Sequence, residues 1–157
     1  MTILLKYWRL MAAGFSSGWV PKAPGTFGSL ASLPFAWWLA QWQGPLVLLL
    51  AAGFLTLLGC LACARVLPTI PDQDPGWIVI DEWAGQWLCL GLLWLWLPLT
   101  LPVLLLGFMA FRLLDIVKPW PISALEHWGP AWWNIMADDL LAGALGAAMC
   151  VLLWPLI

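Results

Sequence analysis

Charge is scarce in this chain and confined to the edges of long apolar runs, which restricts its fold more than any single motif does. Of its 157 residues only 9% are charged, whereas 64% are hydrophobic. The charges gather at Lys22 beside Pro24-Gly25-Thr26, at Asp81-Glu82, between Arg112 and Lys118, and at Asp138-Asp139. A soluble domain carries about 25% charged and roughly 45–50% apolar residues. Runs this apolar suit a bilayer, where the backbone must satisfy its own polar groups by forming helices. The chain is therefore predicted to be an all-α integral membrane protein, one membrane-embedded domain over residues 1–157. A net charge of −2, with no basic stripe, argues against a nucleic-acid partner.

Five apolar segments are expected to form a compact bundle of about five membrane-embedded helices. Phe27 to Trp42 is short and has Pro34 in its middle, so it should kink or tilt. Leu46 to about Ala64 approaches the roughly 20 residues that a bilayer requires. Pro68 to Gly76 is a polar loop whose prolines and glycine forbid helix. The third segment runs from Glu82 to Leu97, the fourth from about Leu101 to Val117, and the fifth from Asp139 to the C-terminus. Spans shorter than ideal imply local bilayer thinning or partly wet bundle ends. The N-terminal stretch carries Tyr7, Trp8 and Phe15 and reads as an interfacial helix. Gly14, Ser16, Ser17 and Gly18 interrupt it, so no removable signal peptide is read.

The links alternate in character. Gln43-Gly44-Pro45 and Pro98-Leu99-Thr100 are tight and uncharged, each joining two segments into a hairpin. Counting crossings puts the N-terminus, the Pro68–Asp81 loop and the Arg112–Asp138 loop on one face. All six Lys and Arg residues fall on that face, which the positive-inside rule makes cytoplasmic. Trp37, Trp38, Trp42, Trp94 and Trp96 near the outer ends read as an interfacial belt, as do Trp120, Trp128, Trp132 and Trp133 in the inner connection. Cys60 and Cys63 have C-x-x-C spacing but no second pair or His nearby; with Cys89 and Cys150 they read as small core residues.

All eight acidic residues then share the cytoplasmic face. Asp81-Glu82 is expected to open the third helix and Asp138-Asp139 the fifth, where either pair could simply cap it. Two adjacent carboxylates exceed what one cap needs, however, and the second pair repeats the pattern. Arg112, Asp115 and Lys118, spaced i, i+3, i+6, share one helix face. They form either an ion-pair ladder with Lys118 snorkelling towards water, or a phosphate site with Arg112 as fork and Lys118 as point charge. Lys22 to Ser29 precedes the first helix and could offer backbone N–H groups to an anion, though Walker spacing is missing. Carboxylates without His or Cys suit a hard cation such as Mg²⁺, which would activate water and stabilise charge on phosphorus. His127, the only His, lies in a Trp-rich loop and reads as a surface residue.

Pro24-Gly25-Thr26-Phe27-Gly28-Ser29-Leu30, Ile78-Val79-Ile80-Asp81-Glu82, Phe111-Arg112 with Asp115 and Lys118-Pro119-Trp120-Pro121-Ile122, and Asp138-Asp139 with Ala142-Gly143 occur in this order. They resemble the motifs of the phosphatidylglycerophosphatase A family, from about Gly14 to Gly146. The resemblance implies a bacterial inner-membrane, Mg²⁺-dependent phosphatase of phospholipid biosynthesis. Its substrate would be phosphatidylglycerophosphate, converted to phosphatidylglycerol and phosphate at the cytoplasmic face. The functional positions implied are Thr26, Asp81, Glu82, Arg112, Asp115, Lys118, Asp138 and Asp139. On the combined reading Asp81, Glu82, Asp138 and Asp139 hold Mg²⁺, with Asp81, Asp115, Asp139 and Thr26 as catalytic candidates. Arg112, Lys118, Lys22 and Thr26 would bind the substrate. The nucleophile is either water or a carboxylate that becomes phosphorylated. One departure stands out: Pro130-Ala131-Trp132-Trp133-Asn134 replaces a glycine-rich approach to the Asp pair.

Two other classes compete. A small transporter or ion-binding membrane protein could use the carboxylates as a cation path, but it should carry ionisable groups through the outer half as well. A structural partner would use the acids only as helix caps.

Overall fold

Proline and glycine set most of the helix boundaries. The computed structural model describes residues 3–156, with backbone only for Gln43 and Leu156. Its helices are Ile3–Ala12 (α1), Pro24–Gln43 (α2), Pro45–Val66 (α3), Ile80–Trp94 (α4), Leu101–Val117 (α5), Ile122–Leu125 (α6) and Ala131–Leu153 (α7), with short 3₁₀ turns between some of them and no strand among the described residues. Pro24, Pro45 and Pro102 lie in first turns, where a missing N–H costs nothing. Gly44, at φ 77°, reverses the chain between α2 and α3. The all-α expectation is met.

Several boundaries differ from the sequence reading. The first apolar segment starts earlier, at Pro24, and stays helical through Pro34. The third starts at Ile80 and stops at Trp94, short of Leu97. Leu67–Thr69 forms a 3₁₀ turn at the start of the polar loop. Phe15 lies beyond α1, in a turn where Gly14, Phe15 and Ser16 all have positive φ. The largest correction is at α7, which begins at Ala131 rather than Asp139. Pro130 is extended there, and the Trp-rich stretch that follows it is helical. A charge pair was an unreliable start signal because these acids lie inside the helix.

α4 is central, touching α2, α3, α5 and α7, with its most extensive contact against α7. Two glycines permit that contact. A Cβ on Gly85 would lie 2.5 Å from the Asp139 carbonyl oxygen and 2.8 Å from the Phe111 ring, and one on Gly143 would strike the Gly85 carbonyl oxygen. Leu90, Leu93, Phe111 and Met136 fill the core around this crossing. The N-terminal segment is tied to the start of α4 by the Val79 N–H, which donates to the Ala12 carbonyl at 2.9 Å.

Two stretches, Pro45–Thr69 and Ala131–Leu153, are long and apolar enough to cross a bilayer. The outward face of α3 carries Leu46, Leu50, Phe54, Leu57 and Leu61, each more than half exposed. So continuous an apolar stripe is unusual on a water-facing surface. α4, with 15 residues, reaches only about 22 Å at 1.5 Å per residue.

The α4–α7 contact generates a prediction. Gly143→Val should lower stability by roughly 1–3 kcal/mol, the usual cost of overpacking, read as a reduced melting temperature in detergent. Gly53→Ala is the matched control, since nothing lies within 4 Å of its Cβ position. It should be neutral or slightly stabilising.

Candidate active site

The α4–α7 crossing sets the level of the acids. Asp81 and Glu82 occupy the first turn of α4, as expected. Asp138 and Asp139 lie about two turns inside α7, so its first turns project past the start of α4. Gly85 abuts the Asp139 backbone, and this brings Asp139 beside the two α4 carboxylates. Carboxylate oxygens of Asp81, Glu82 and Asp139 come within 4.8 Å of one another. Capping does not account for the acids. The α7 pair is too deep to cap, while Asp81 Oδ1 and Glu82 Oε2 are buried without a protein partner.

Asp138 is engaged differently. Its Oδ1 accepts from the Asp139 N–H at 3.1 Å, and its Oδ2 accepts from Lys118 Nζ at 2.6 Å. The structure thus groups three of the four acids expected around a metal and gives the fourth to Lys118. Lys118 ends α5 in the left-handed conformation, at φ 44°, and its Nζ also donates to Glu126 Oε1 at 2.9 Å. Burial tends to lower the Lys118 pKa, but the hydrogen bonds and attraction of Asp138 and Glu126 outweigh it and hold the ammonium above its usual range.

Arg112 pairs inside its own helix, as the i, i+3 spacing allows, with Nη1 at 2.5 Å from Asp115 Oδ2. The same nitrogen lies 3.9 Å from Glu82 Oε1 and donates to Ser29 Oγ at 3.3 Å. Nη2 donates to Thr26 Oγ1 at 3.4 Å. Both terminal nitrogens therefore face protein groups. Ser29 Oγ in turn donates to the Gly25 carbonyl at 2.9 Å, and a side chain at Gly25 would collide with Glu82 Oε1. The bare glycine lets α2 close over the acids.

A cavity of about 320 Å³ opens in front of this cluster. Asp81, Glu82, Asp115, Asp138, Asp139 and Lys118 line it; Asp74 and Glu126 add two further carboxylates, seven in all. Arg112 and Thr26 stand behind the acids and do not line it, and Lys22 is exposed outside it. His127 is exposed, as expected. Glu126 and Ser29 were not singled out by sequence reasoning. Glu126 is one of only eight acids, which was the available signal, and Ser29 lay inside a motif read for its backbone. Gln86, fully buried one turn beyond Glu82, has both amide atoms without a protein partner, as does Arg112 Nε.

The donor chemistry fits a hard divalent cation. Asp81 Oδ1, Glu82 Oε2 and Asp139 Oδ2 are all buried and unpartnered, and all are oxygen. Such a donor set favours Mg²⁺-like ions over metals that seek nitrogen or sulfur. The four cysteines are free and outside this group.

The family profile of phosphatidylglycerophosphatase A matches residues 10–154. A phosphatidylglycerophosphatase A of Escherichia coli (strain K12) is 37% identical over 160 residues, covering 95% of this chain and 86% of that protein. The enzyme of the same name from Haemophilus influenzae is 36% identical over 143 residues, covering 88% and 83%. No solved structure matches.

The Lys118 pairing can be tested as a double-mutant cycle. Lys118→Ala should destabilise the protein by about 2 kcal/mol, below the roughly 3–5 kcal/mol of a fully buried pair, because the lysine side chain retains 29% exposure. Adding Asp138→Asn should recover part of that loss in thermal unfolding.

Proposed function

The chain belongs to the phosphatidylglycerophosphatase A family, and from that premise we propose that it is a Mg²⁺-dependent phosphatase hydrolysing phosphatidylglycerophosphate to phosphatidylglycerol at the cytoplasmic face of a bacterial inner membrane. The observation that carries the reading is the three-acid cluster of Asp81, Glu82 and Asp139, which lines the cavity and keeps one buried oxygen per residue without a protein partner. These residues hold the ion. When bound, Mg²⁺ stabilises negative charge on the phosphoryl oxygens by Lewis-acid action.

The remaining residues divide the work. Lys118, from the cavity wall, offers N–H hydrogen bonds and a positive charge to the phosphate. Asp115 lines the same cavity, is held in place by Arg112, and stands where it can accept a proton from the attacking water. Attack of the water oxygen on phosphorus breaks the bond to the headgroup glycerol oxygen, which leaves with the proton that Asp115 took from the water. Arg112 serves Asp115 and Glu82 rather than the phosphate, while Thr26 and Ser29 hold Arg112 in place. Lys22, outside the cavity, would act only on approaching anionic lipid.

Five crossings with the N-terminus inside remain the topology we propose, supported by the exposed apolar stripe on α3 and the placement of every Lys and Arg. α1 would lie on the inner surface, with Ile3, Leu4 and Tyr7 outward.

Purified protein should release phosphate from phosphatidylglycerophosphate only with Mg²⁺ present. Asp81→Asn and Asp139→Asn should each reduce the rate by at least about a hundredfold, in line with loss of a transition-state charge stabiliser. Full activity in both variants, with unchanged unfolding curves, would remove the metal assignment. Topology has its own test in oriented vesicles. A thiol-specific, membrane-impermeant reagent should label Gln73→Cys from the cytoplasmic side and Thr100→Cys from the opposite side; labelling of both from one side defeats the arrangement.

A further inference from the structure

Lys118 is the only cation lining the cavity, set against seven carboxylates. A phosphate monoester carries about two negative charges at neutral pH, so its seat must lie where positive charge can be spared. In this structure none is spare. The Lys118 ammonium is shared between Asp138 at 2.6 Å and Glu126 at 2.9 Å, one positive charge between two negative ones.

The two partners are not equivalent. The Asp138 side chain is 6% exposed and sits on the long helix α7, with its other oxygen held by the Asp139 N–H. The Glu126 side chain is 37% exposed and follows the four-residue helix α6, on the short connection between α5 and α7. Its carboxylate reaches Lys118 from the solvent side and can rotate away without leaving a buried charge unpaired. Asp138 cannot do so without a desolvation penalty.

We infer that Glu126 occupies the place on Lys118 that a phosphate oxygen of the substrate takes, and leaves it when the substrate binds. The inference rests on the phosphatase reading above. Exchange of one carboxylate for one phosphate oxygen keeps a second anion beside the ammonium throughout. Lys118 therefore stays pointed into the cavity between turnovers rather than swinging out to water. Glu126 is a positioning residue and a competitor at once. It weakens binding of any phosphate by the cost of its own displacement. That cost is the same for the lipid and for free inorganic phosphate, so it lowers both affinities by the same factor.

The test uses the full-length protein in detergent micelles with Mg²⁺. KM for phosphatidylglycerophosphate and the inhibition constant of inorganic phosphate are measured for wild type, Glu126→Gln and Glu126→Asp. Direct binding of inorganic phosphate is followed by calorimetry. Removing a partly exposed competing charge should lower KM, the inhibition constant and the dissociation constant by about threefold to fivefold in Glu126→Gln. Glu126→Asp should return all three towards wild type. A Glu126→Gln protein with unchanged or weaker phosphate binding overturns the inference while leaving the phosphatase reading intact, since it assigns Glu126 only to the fold. A wild-type protein that releases no phosphate overturns both.

Discussion

Everything at the site depends on how closely α4 and α7 cross. Gly85 and Gly143 let the two backbones meet, and each would be blocked by a single added carbon. Because the approach occurs at the Asp139 carbonyl, it sets the register between the acids of the two helices. A shift of α7 by one residue would rotate Asp139 about 100° away from Asp81 and Glu82. Packing and chemistry are therefore the same constraint here. The small residues hold three carboxylates together at a cost in mutual repulsion, which a bound cation would relieve.

The two basic side chains near the cluster have separate parts. Arg112 is directed inward, bound to Asp115 and flanked by Glu82, Thr26 and Ser29, so that α2, α4 and α5 share one guanidinium. A planar fork suits that bridging position, because it can address several acceptors in fixed directions. Lys118 is a point charge on a flexible stem at the cavity wall, bonded to Asp138 on one side and Glu126 on the other. The intrahelical ladder suggested by their i, i+3, i+6 spacing exists only in its first half. The left-handed turn at Lys118 sends the second half across to α7.

How much of this was legible varies with the kind of signal. The helical class, the span of α5, and the loop after α3 follow from hydropathy and from Pro and Gly positions, which act locally. Asp81 and Glu82 were placed correctly at the start of their helix for the same reason. Asp138 and Asp139 were placed at a helix start only because acids usually sit there, whereas the tertiary contact of α7 with α4 keeps them two turns inside. The separation of Asp138 from the other three acids was not legible at all. It depends on which side of α7 faces Lys118, and one residue of spacing cannot tell a shared site from two adjoining ones. Ser29 and Glu126 were passed over because their partners lie on other elements.

The left-handed backbone at Lys118 has a consequence for how the protein responds to its surroundings. A residue with a Cβ held at φ 44° costs about 1 kcal/mol relative to glycine, and here the two ion pairs of the side chain offset it. The corner between α5 and α6 is thus clasped by charge on its outer side, while Ile122 anchors it in the core. Ionic strength, which scarcely touches the buried crossing of α4 and α7 or the buried Asp138 carboxylate, acts most on the Glu126 arm of this clasp. The mouth of the cavity should therefore soften in salt well before its floor does, giving the molecule a salt-sensitive rim on a salt-insensitive frame.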